Sequence, residues 1–177
     1  IRLSLVGSEM CIRDSISSDD WRQTLEVSLL SPIAFMKEFI PGMVKRKWGR
    51  IVNIGTGAAK TPAEVRILSG GPRAALVNYS VAVSKKVAKH NVAINNILPG
   101  MHHTATTEKI YQKLAEENGT SYDEEVNEFA KKWRIPARKF GNSQDFGDFV
   151  AMFCSEQATY VIGQSLVIDG GIDNTTF

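Results

Sequence analysis

Three short apolar runs, each closed by glycine or proline, constrain the fold of this chain more tightly than any other feature. They are Ile51-Val-Asn-Ile54 before Gly55, residues 92–98 before Pro99-Gly100, and residues 163–168 before Asp169-Gly170-Gly171. These runs are mostly apolar, with Asn53, Asn95 and Asn96 inside the first two and a polar start to the third, and they do not alternate, which suits a strand buried on both faces. Stretches of helical periodicity separate the runs. Strand, helix and strand in that order require right-handed crossovers, and hence a parallel sheet covered by helices on both faces. The expected fold class is α/β.

The helical stretches have readable ends. From Asp19 onward, Trp21, Leu25, Leu29, Phe35, Phe39 and Met43 recur at the spacing of one buried face, with Ser18 or Asp19 as the cap. Pro32 and Pro41 lack the amide hydrogen the ladder needs, so a kink or an early end is expected at either. In the next stretch Pro72 suits a first helical position. Ala74, Ala75, Val77, Ala82, Val83, Val87 and Ala88 then give a small-residue face, and His90-Asn91 ends the helix. Residues 104–135 are polar and charged, with two helical pieces parting near Gly119, and Ser143 or Asn142 caps a last helix to about Ser155. Lys109, Lys113, Glu116, Glu117 and residues 123–125 make a solvated face. Residues 1–17 show neither a helical period nor signal-peptide architecture, because their apolar part is short and lacks a small-residue cleavage site.

At 177 residues and 19.5 kDa the chain has the size of a single domain. Hydrophobic residues at 43% and charged residues at 23% are ordinary for a soluble globular protein, and no uninterrupted apolar run approaches the roughly 20 residues of a membrane span. Lys and Arg number 21 against 19 for Asp and Glu, with the signs interspersed, which argues against a nucleic-acid partner. Cys11 and Cys154 stand far apart, outside any zinc or disulfide spacing. A reducing, cytoplasmic compartment is expected.

Three motifs in order carry a resemblance to a known family. They are Trp48-Gly-Arg-Ile-Val-Asn-Ile-Gly55, then Ala93-Ile-Asn-Asn-Ile-Leu-Pro-Gly100 followed by Thr104, then Tyr160-Val-Ile-Gly-Gln-Ser-Leu-Val-Ile-Asp-Gly-Gly171. From Trp21 to Gly171 the chain resembles the later part of the short-chain dehydrogenase/reductase family. The resemblance implies a partial Rossmann-like, doubly wound parallel sheet in a single domain over residues 18–177. Residues 1–17 then read as a non-family segment, in keeping with a spurious translation joined to a truncated reading frame. The family's early Gly-rich turn, whose helix N-terminus receives the cofactor pyrophosphate, has no counterpart. Gly55-Thr-Gly57 follows a strand, but Lys60 takes the third glycine position and Pro62 interrupts the helix that should begin there.

The resemblance also implies site residues. In the family a tyrosine exchanges a proton with the substrate oxygen, and a lysine four residues later lowers the tyrosine pKa and holds the nicotinamide ribose. Counting back from Asn95 without a gap puts Ser69 at the tyrosine and Arg73 at the lysine. The serine that polarises the substrate carbonyl falls on Thr56, and the helix asparagine that holds a proton-relay water falls on Ser28. All four catalytic positions are therefore substituted. Thr56 keeps a hydroxyl donor and Arg73 keeps a positive charge, but an aliphatic hydroxyl at Ser69 is a far weaker acid than a phenol. Tyr79 lies roughly 15 Å further along the helix, on a different side, and reads as a packed or interface residue.

Arg73, Pro99, Gly100, His102 and Thr104 are the expected contacts to NAD or NADP, with the preference between the two left open. His102 and His103 follow the strand end where open parallel sheets bind ligands, and an imidazole can supply a proton near neutrality; the other reading makes both of them loop residues of the cofactor turn. A metal site is not expected, since neighbouring side chains on extended backbone diverge and no carboxylate or cysteine joins them. Trp133 and Tyr111 read as pocket-lining, core or solvated positions, and Asn53 as structural. Asp169-Gly170-Gly171 is expected to end its strand and to support subunit contact. Two functions fit. One is an oxidoreductase acting on a carbonyl or secondary alcohol, as a truncated chain with substituted catalytic residues. The other is a non-enzymatic, reductase-like scaffold or oligomerisation partner. A homo-oligomer through the two long helices suits either.

Overall fold

The computed structural model describes residues 16–175. The expectation of a foreign segment at residues 1–17 lies almost wholly outside the described residues. Helix α1 (Ser18–Leu25) is capped by Ser17, one residue before the expected cap: its Oγ accepts from the Asp20 amide at 3.1 Å while the Asp20 carboxylate accepts from the Ser17 amide at 2.9 Å. A π turn, Glu26–Leu30, joins α1 to α2 (Ser31–Lys45), with the Ser31 amide bonded to the Glu26 carbonyl five residues back.

That π turn corrects two expectations. The helical path ends at neither proline: Pro32 falls in the first turn of α2, where the wide turn gives it room, and Pro41 stays inside α2. The extra residue also advances the buried face by one position beyond residue 30. Ile33, Met36 and Ile40 now pack inward with Leu29 and Met43, whereas Phe35 and Phe39 are exposed and stack on each other at 6.2 Å. Taken as one 28-residue path, Ser18–Lys45 is long and apolar enough to cross a membrane by length and composition, with mean hydropathy 1.3 over its best window. The count of uninterrupted apolar residues missed this, because Lys37 and Glu38 break the run without lowering the average enough.

Strands β1 (Gly49–Ile54), β2 (Val92–Pro99) and β3 (Ser165–Ile168) form a parallel sheet in the order β1-β2-β3, with Ile51 opposite Ile94 and Ile97 opposite Leu166. Helix α3 (Ile67–Val87) crosses from β1 to β2, and α4 (Ala105–Asn118), α5 (Tyr122–Lys132) and α6 (Ser143–Phe153) lie between β2 and β3. Every residue of 92–98 is buried, as an unalternating apolar run demands. Val92 and Ile94 join Leu76, Val87 and Met36 in the main core, and Asn96 on the same face accepts from Ser80 at 2.9 Å and from Asn53 at 3.1 Å. Arg50 is buried too. Its guanidinium donates to the carbonyls of Ser155, Gly49 and Asn91 and to the Thr159 hydroxyl, tying the start of β1 to the segment before β3.

Other boundaries move for local reasons. Helix α3 begins at Ile67, so Pro72 is a buried interior residue rather than the first of the helix. The third strand starts at Ser165, because Gly163 has φ +66° and sits against Ser84. Gly119 (φ +68°) parts α4 from α5, Asn91 (φ +58°) ends the turn after α3, and Asn142 caps α6, all as the sequence suggests.

Candidate active site

The site lies at the carboxyl ends of the strands, where open parallel sheets bind ligands. Thr56 follows β1 and caps a short 3-10 turn, Gly57–Ala59, by accepting from the Ala58 amide at 3.4 Å. It is 8% exposed, and because its Oγ is used there as an acceptor, the O–H is left to donate. The first turns of α3 rest directly on this element. A Cβ on Gly70 would stand 2.7 Å from the Ala58 carbonyl oxygen, so only glycine permits the approach. Ser69 and Arg73 flank Gly70 on one side of α3, and Arg73 Nη1 donates to the Ser69 carbonyl at 3.1 Å and to Ser69 Oγ at 3.2 Å. Burial pulls the Arg73 guanidinium pKa below its ordinary value. Ser28, buried within the π turn, lies on the helix path packed against α3.

The structure thus gathers the Thr56, Ser69 and Arg73 positions around one turn. Tyr79 is not drawn to this turn and packs in the main core with Met36 and Leu76.

The second wall comes from the end of β2. Pro99, Gly100 and Met101 line a cavity of about 120 Å³ together with Ala58, Pro62, Arg66, Phe129, Trp133 and Ile172. Gly100 is pinned there, since a Cβ would come within 2.6 Å of Asp169. His102 does not line this cavity. Its ring packs on Gly141 and edge-on to Phe146, with Nδ1 3.3 Å from the Gly100 carbonyl. His103 turns the other way, with Nδ1 2.6 Å from the Tyr122 hydroxyl. Thr104 caps α4, exchanging hydrogen bonds with Thr107.

Helix α5 supplies the third wall. Tyr111 is not pocket-lining: it is buried edge-on to Phe129 and Phe140, and burial pushes its phenol pKa up to about 12. Trp133 does line the cavity, stacked on Phe129. The fourth wall holds Asp169, expected only to end its strand, together with Thr61 and Asp173, which the sequence did not single out. Asp169 accepts from the amides of Gly171, Ile172 and Asp173. The Asp173 carboxylate accepts from the Thr61 hydroxyl at 2.5 Å and pairs with Lys60 at 3.4 Å, and the Thr61 bond, with help from Thr175 and Lys60, holds its carboxyl down at about 2. Gly170 and Gly171 (φ +72° and +91°) make room for Ile135, Pro136 and Ala137 of the same chain, which is the contact found for this turn.

A parallel sheet whose strand ends gather a hydroxyl, a guanidinium and an apolar cavity defines an α/β protein built to bind a small ligand at that edge. A family described as enoyl-(acyl carrier protein) reductase matches residues 10–173, and the chain belongs to the short-chain dehydrogenase/reductase family. It is 29% identical over 153 residues to the 3-oxoacyl-(acyl-carrier-protein) reductase of Aquifex aeolicus, covering 86% of this chain and 56% of that protein. It is 28% identical to nodulation protein G of Rhizobium sp. strain N33, covering 89% and 59%. Among solved structures, L-sorbose reductase from Gluconobacter frateurii, complexed with NADPH and L-sorbose, superposes with a TM-score of 0.83 at 26% identity, covering 96% of this chain and 64% of that one. The fold is also shared by an NADPH-bound short chain oxidoreductase of Pseudomonas aeruginosa PAO1, at a TM-score of 0.81 and 18% identity over 92% of this chain and 61% of that one. The chain spans less than two thirds of the length of these proteins.

Proposed function

We propose that this chain is the C-terminal part of an NAD(P)-dependent oxidoreductase that acts on a carbonyl or secondary alcohol; the family match begins at residue 10, so the foreign segment expected over residues 1–17 is at most residues 1–9. The observation that carries this reading is the seating of Ser69 and Arg73 on the turn capped by Thr56, through the contact of Gly70 with Ala58. The Thr56 O–H donates to the substrate oxygen. Arg73 has donors beyond the Nη1 used on Ser69 and fits a ribose diol, while the turn holding Pro99, Gly100, His102 and Thr104 fits the carboxamide end of a nicotinamide. When bound, the nicotinamide exchanges a hydride with the substrate carbon. In the reductive direction the oxygen must also gain a proton. A water relayed through Ser69 and the Ser28 position delivers it, since neither hydroxyl is acidic enough to act alone.

Among the described residues no Gly-rich turn opens a helix to cradle a pyrophosphate, so the isolated chain is expected to show no turnover. The test is the pair Ser69→Tyr with Arg73→Lys in the full-length protein. A phenol beside an ammonium introduces a new titrating donor, so the pH–rate profile should change; an unchanged profile would remove these positions from the proton path.

A second reading, a scaffold or oligomerisation partner, draws support from the helix surface. Val27, Leu30, Phe35 and Phe39 are between 50% and 64% exposed on the α1–α2 path. Pairing of two copies through these helices and α3 would cover them, and would also account for the apolar average of that path in a cytoplasmic protein. A monomer by sedimentation, at concentrations where the full-length protein is active, would exclude it.

A further inference from the structure

Within the proposed reductase reading, the cavity carries a selectivity element that the family motifs do not specify. Apart from Thr61, its walls are apolar except for four charged groups: Arg66, Asp169, Asp173 and, beside the cavity, Lys60. Three of these are engaged with one another or with backbone. Asp169 caps three amides, and Asp173 takes Thr61 and Lys60. Arg66 differs. Its guanidinium lies over the Trp133 ring at 5.3 Å and one Nη stands 3.8 Å from the Met101 sulfur, yet among the described residues no carboxylate pairs with it.

A guanidinium tolerates this setting because it is weakly hydrated and stacks on an indole, and the stacking fixes the plane of its donor fork. A fork held in that way at the rim of an apolar cavity matches a planar carboxylate, which accepts two parallel N–H bonds. A phosphate dianion suits it less well, since one guanidinium neutralises only half its charge.

We propose that Arg66 selects an oxo or hydroxy acid as substrate: its carboxylate pairs with the Arg66 fork, its apolar body lies against Met101, Phe129 and Trp133, and its reacting oxygen points toward Thr56. Arg66 is a binding residue in this arrangement and takes no part in hydride or proton transfer.

Calorimetric titration of the 177-residue chain with 5-oxohexanoate, its methyl ester and hydroxyacetone phosphate tests the assignment. The acid should bind at least about tenfold more tightly than the ester, as loss of a charge-assisted bidentate pair implies. Arg66→Gln should erase that preference while leaving the melting temperature and the affinity for the ester unchanged. Equal binding of acid and ester, a preference that survives Arg66→Gln, tighter binding of the phosphate, or no binding of any of the three would each overturn it. The outcome is separable from the oxidoreductase reading: binding of the acid by the chain, with no nicotinamide-linked turnover by the full-length protein, would refute catalysis and leave the Arg66 assignment standing.

Discussion

Two adjacent glycines in α3 should respond to the same substitution with opposite signs. Gly70 and Gly71 are both helical, and replacing glycine by alanine inside a helix is ordinarily worth up to about 1 kcal/mol of stabilisation. At Gly71 nothing opposes that gain: a Cβ would meet only the Trp21 ring, at 3.8 Å, which is ordinary contact. Gly71→Ala should therefore raise the melting temperature by roughly 2–4 °C. At Gly70 the Cβ would stand 2.7 Å from the Ala58 oxygen and 3.2 Å from its carbonyl carbon, against 3.4 Å for ordinary contact. Both atoms are backbone, so the helix and the turn must separate by about 0.7 Å. Overpacking of this kind costs about 1–3 kcal/mol. After the helix-propensity gain, Gly70→Ala should lose up to about 2 kcal/mol, a fall of up to roughly 8 °C.

The same displacement moves Ser69 and Arg73 away from Thr56. In the full-length protein, a shift approaching an ångström between groups that share a substrate can lower kcat/KM by up to about 100-fold. Thermal unfolding of the two variants followed by circular dichroism, with steady-state kinetics on the full-length forms, checks both halves. If Gly70→Ala proves as stable as Gly71→Ala, the close seating of α3 on the Thr56 turn is not what fixes the site, and the reasoning fails.

Replacing the buried Arg50 by Met should cost about 1–3 kcal/mol in urea unfolding, because it leaves the Ser155 carbonyl without its donor, whereas the Asn91 carbonyl keeps the Gly49 amide and the Thr159 hydroxyl keeps the Glu156 carbonyl. Asp173 should make stability depend on acid. Its carboxyl titrates at about 2 in the folded chain against 3.8 when free, so its contribution is complete above 3.8 and is lost as pH falls toward 2. The stability gap between the chain and its Asp173→Asn variant should then be constant at neutral pH and narrow below 3.8. A gap that widens on acidification would mean that the Thr61 bond is not the cause.

The sheet was legible because its signal is local. An unalternating run such as residues 92–98 reports burial on both faces, and Pro99-Gly100 reports its end. The face of α2 was not legible, since nothing in Glu26 to Leu30 marks a π turn, and one inserted residue was enough to exchange Phe35 and Phe39 for Met36 and Ile40 on the buried side. The assignment of Ser69 and Arg73 rests on an ungapped count back from Asn95; what the structure adds is the Arg73–Ser69 hydrogen bond and the seating of Gly70 on Ala58, next to Thr56. The Asp173 clamp could not be read, because Thr61 lies 112 residues away and hydrogen bonds between distant polar residues leave no periodicity. A faint signal did exist for Arg66 and Trp133: one basic residue beside Pro62 and one tryptophan in an otherwise polar excursion.

The cavity depends on contacts that are each small and none of which lies in the main core. Gly100 admits Asp169, Asp169 orders the amides of residues 171–173, and that turn places Asp173 where it holds Thr61 and Lys60. The held loop leads through the 3-10 turn Glu64–Arg66 into α3, so the position of Arg66 over Trp133 is set by a carboxylate at the far end of the chain. Val92 and Ile94 of β2, by contrast, pack against Leu76, Val87 and Met36, away from this relay. Stability is therefore divided, with a sheet that stands on apolar packing and a ligand wall that stands on a few hydrogen bonds to two aspartates. Ligand-binding segments are drawn from the less stable parts of a fold, and here the chemistry names the point of control. Protonating Asp173 weakens its hold on Thr61 and Lys60, so loosening on acidification is expected to begin at this wall rather than in the core around Val92 and Ile94.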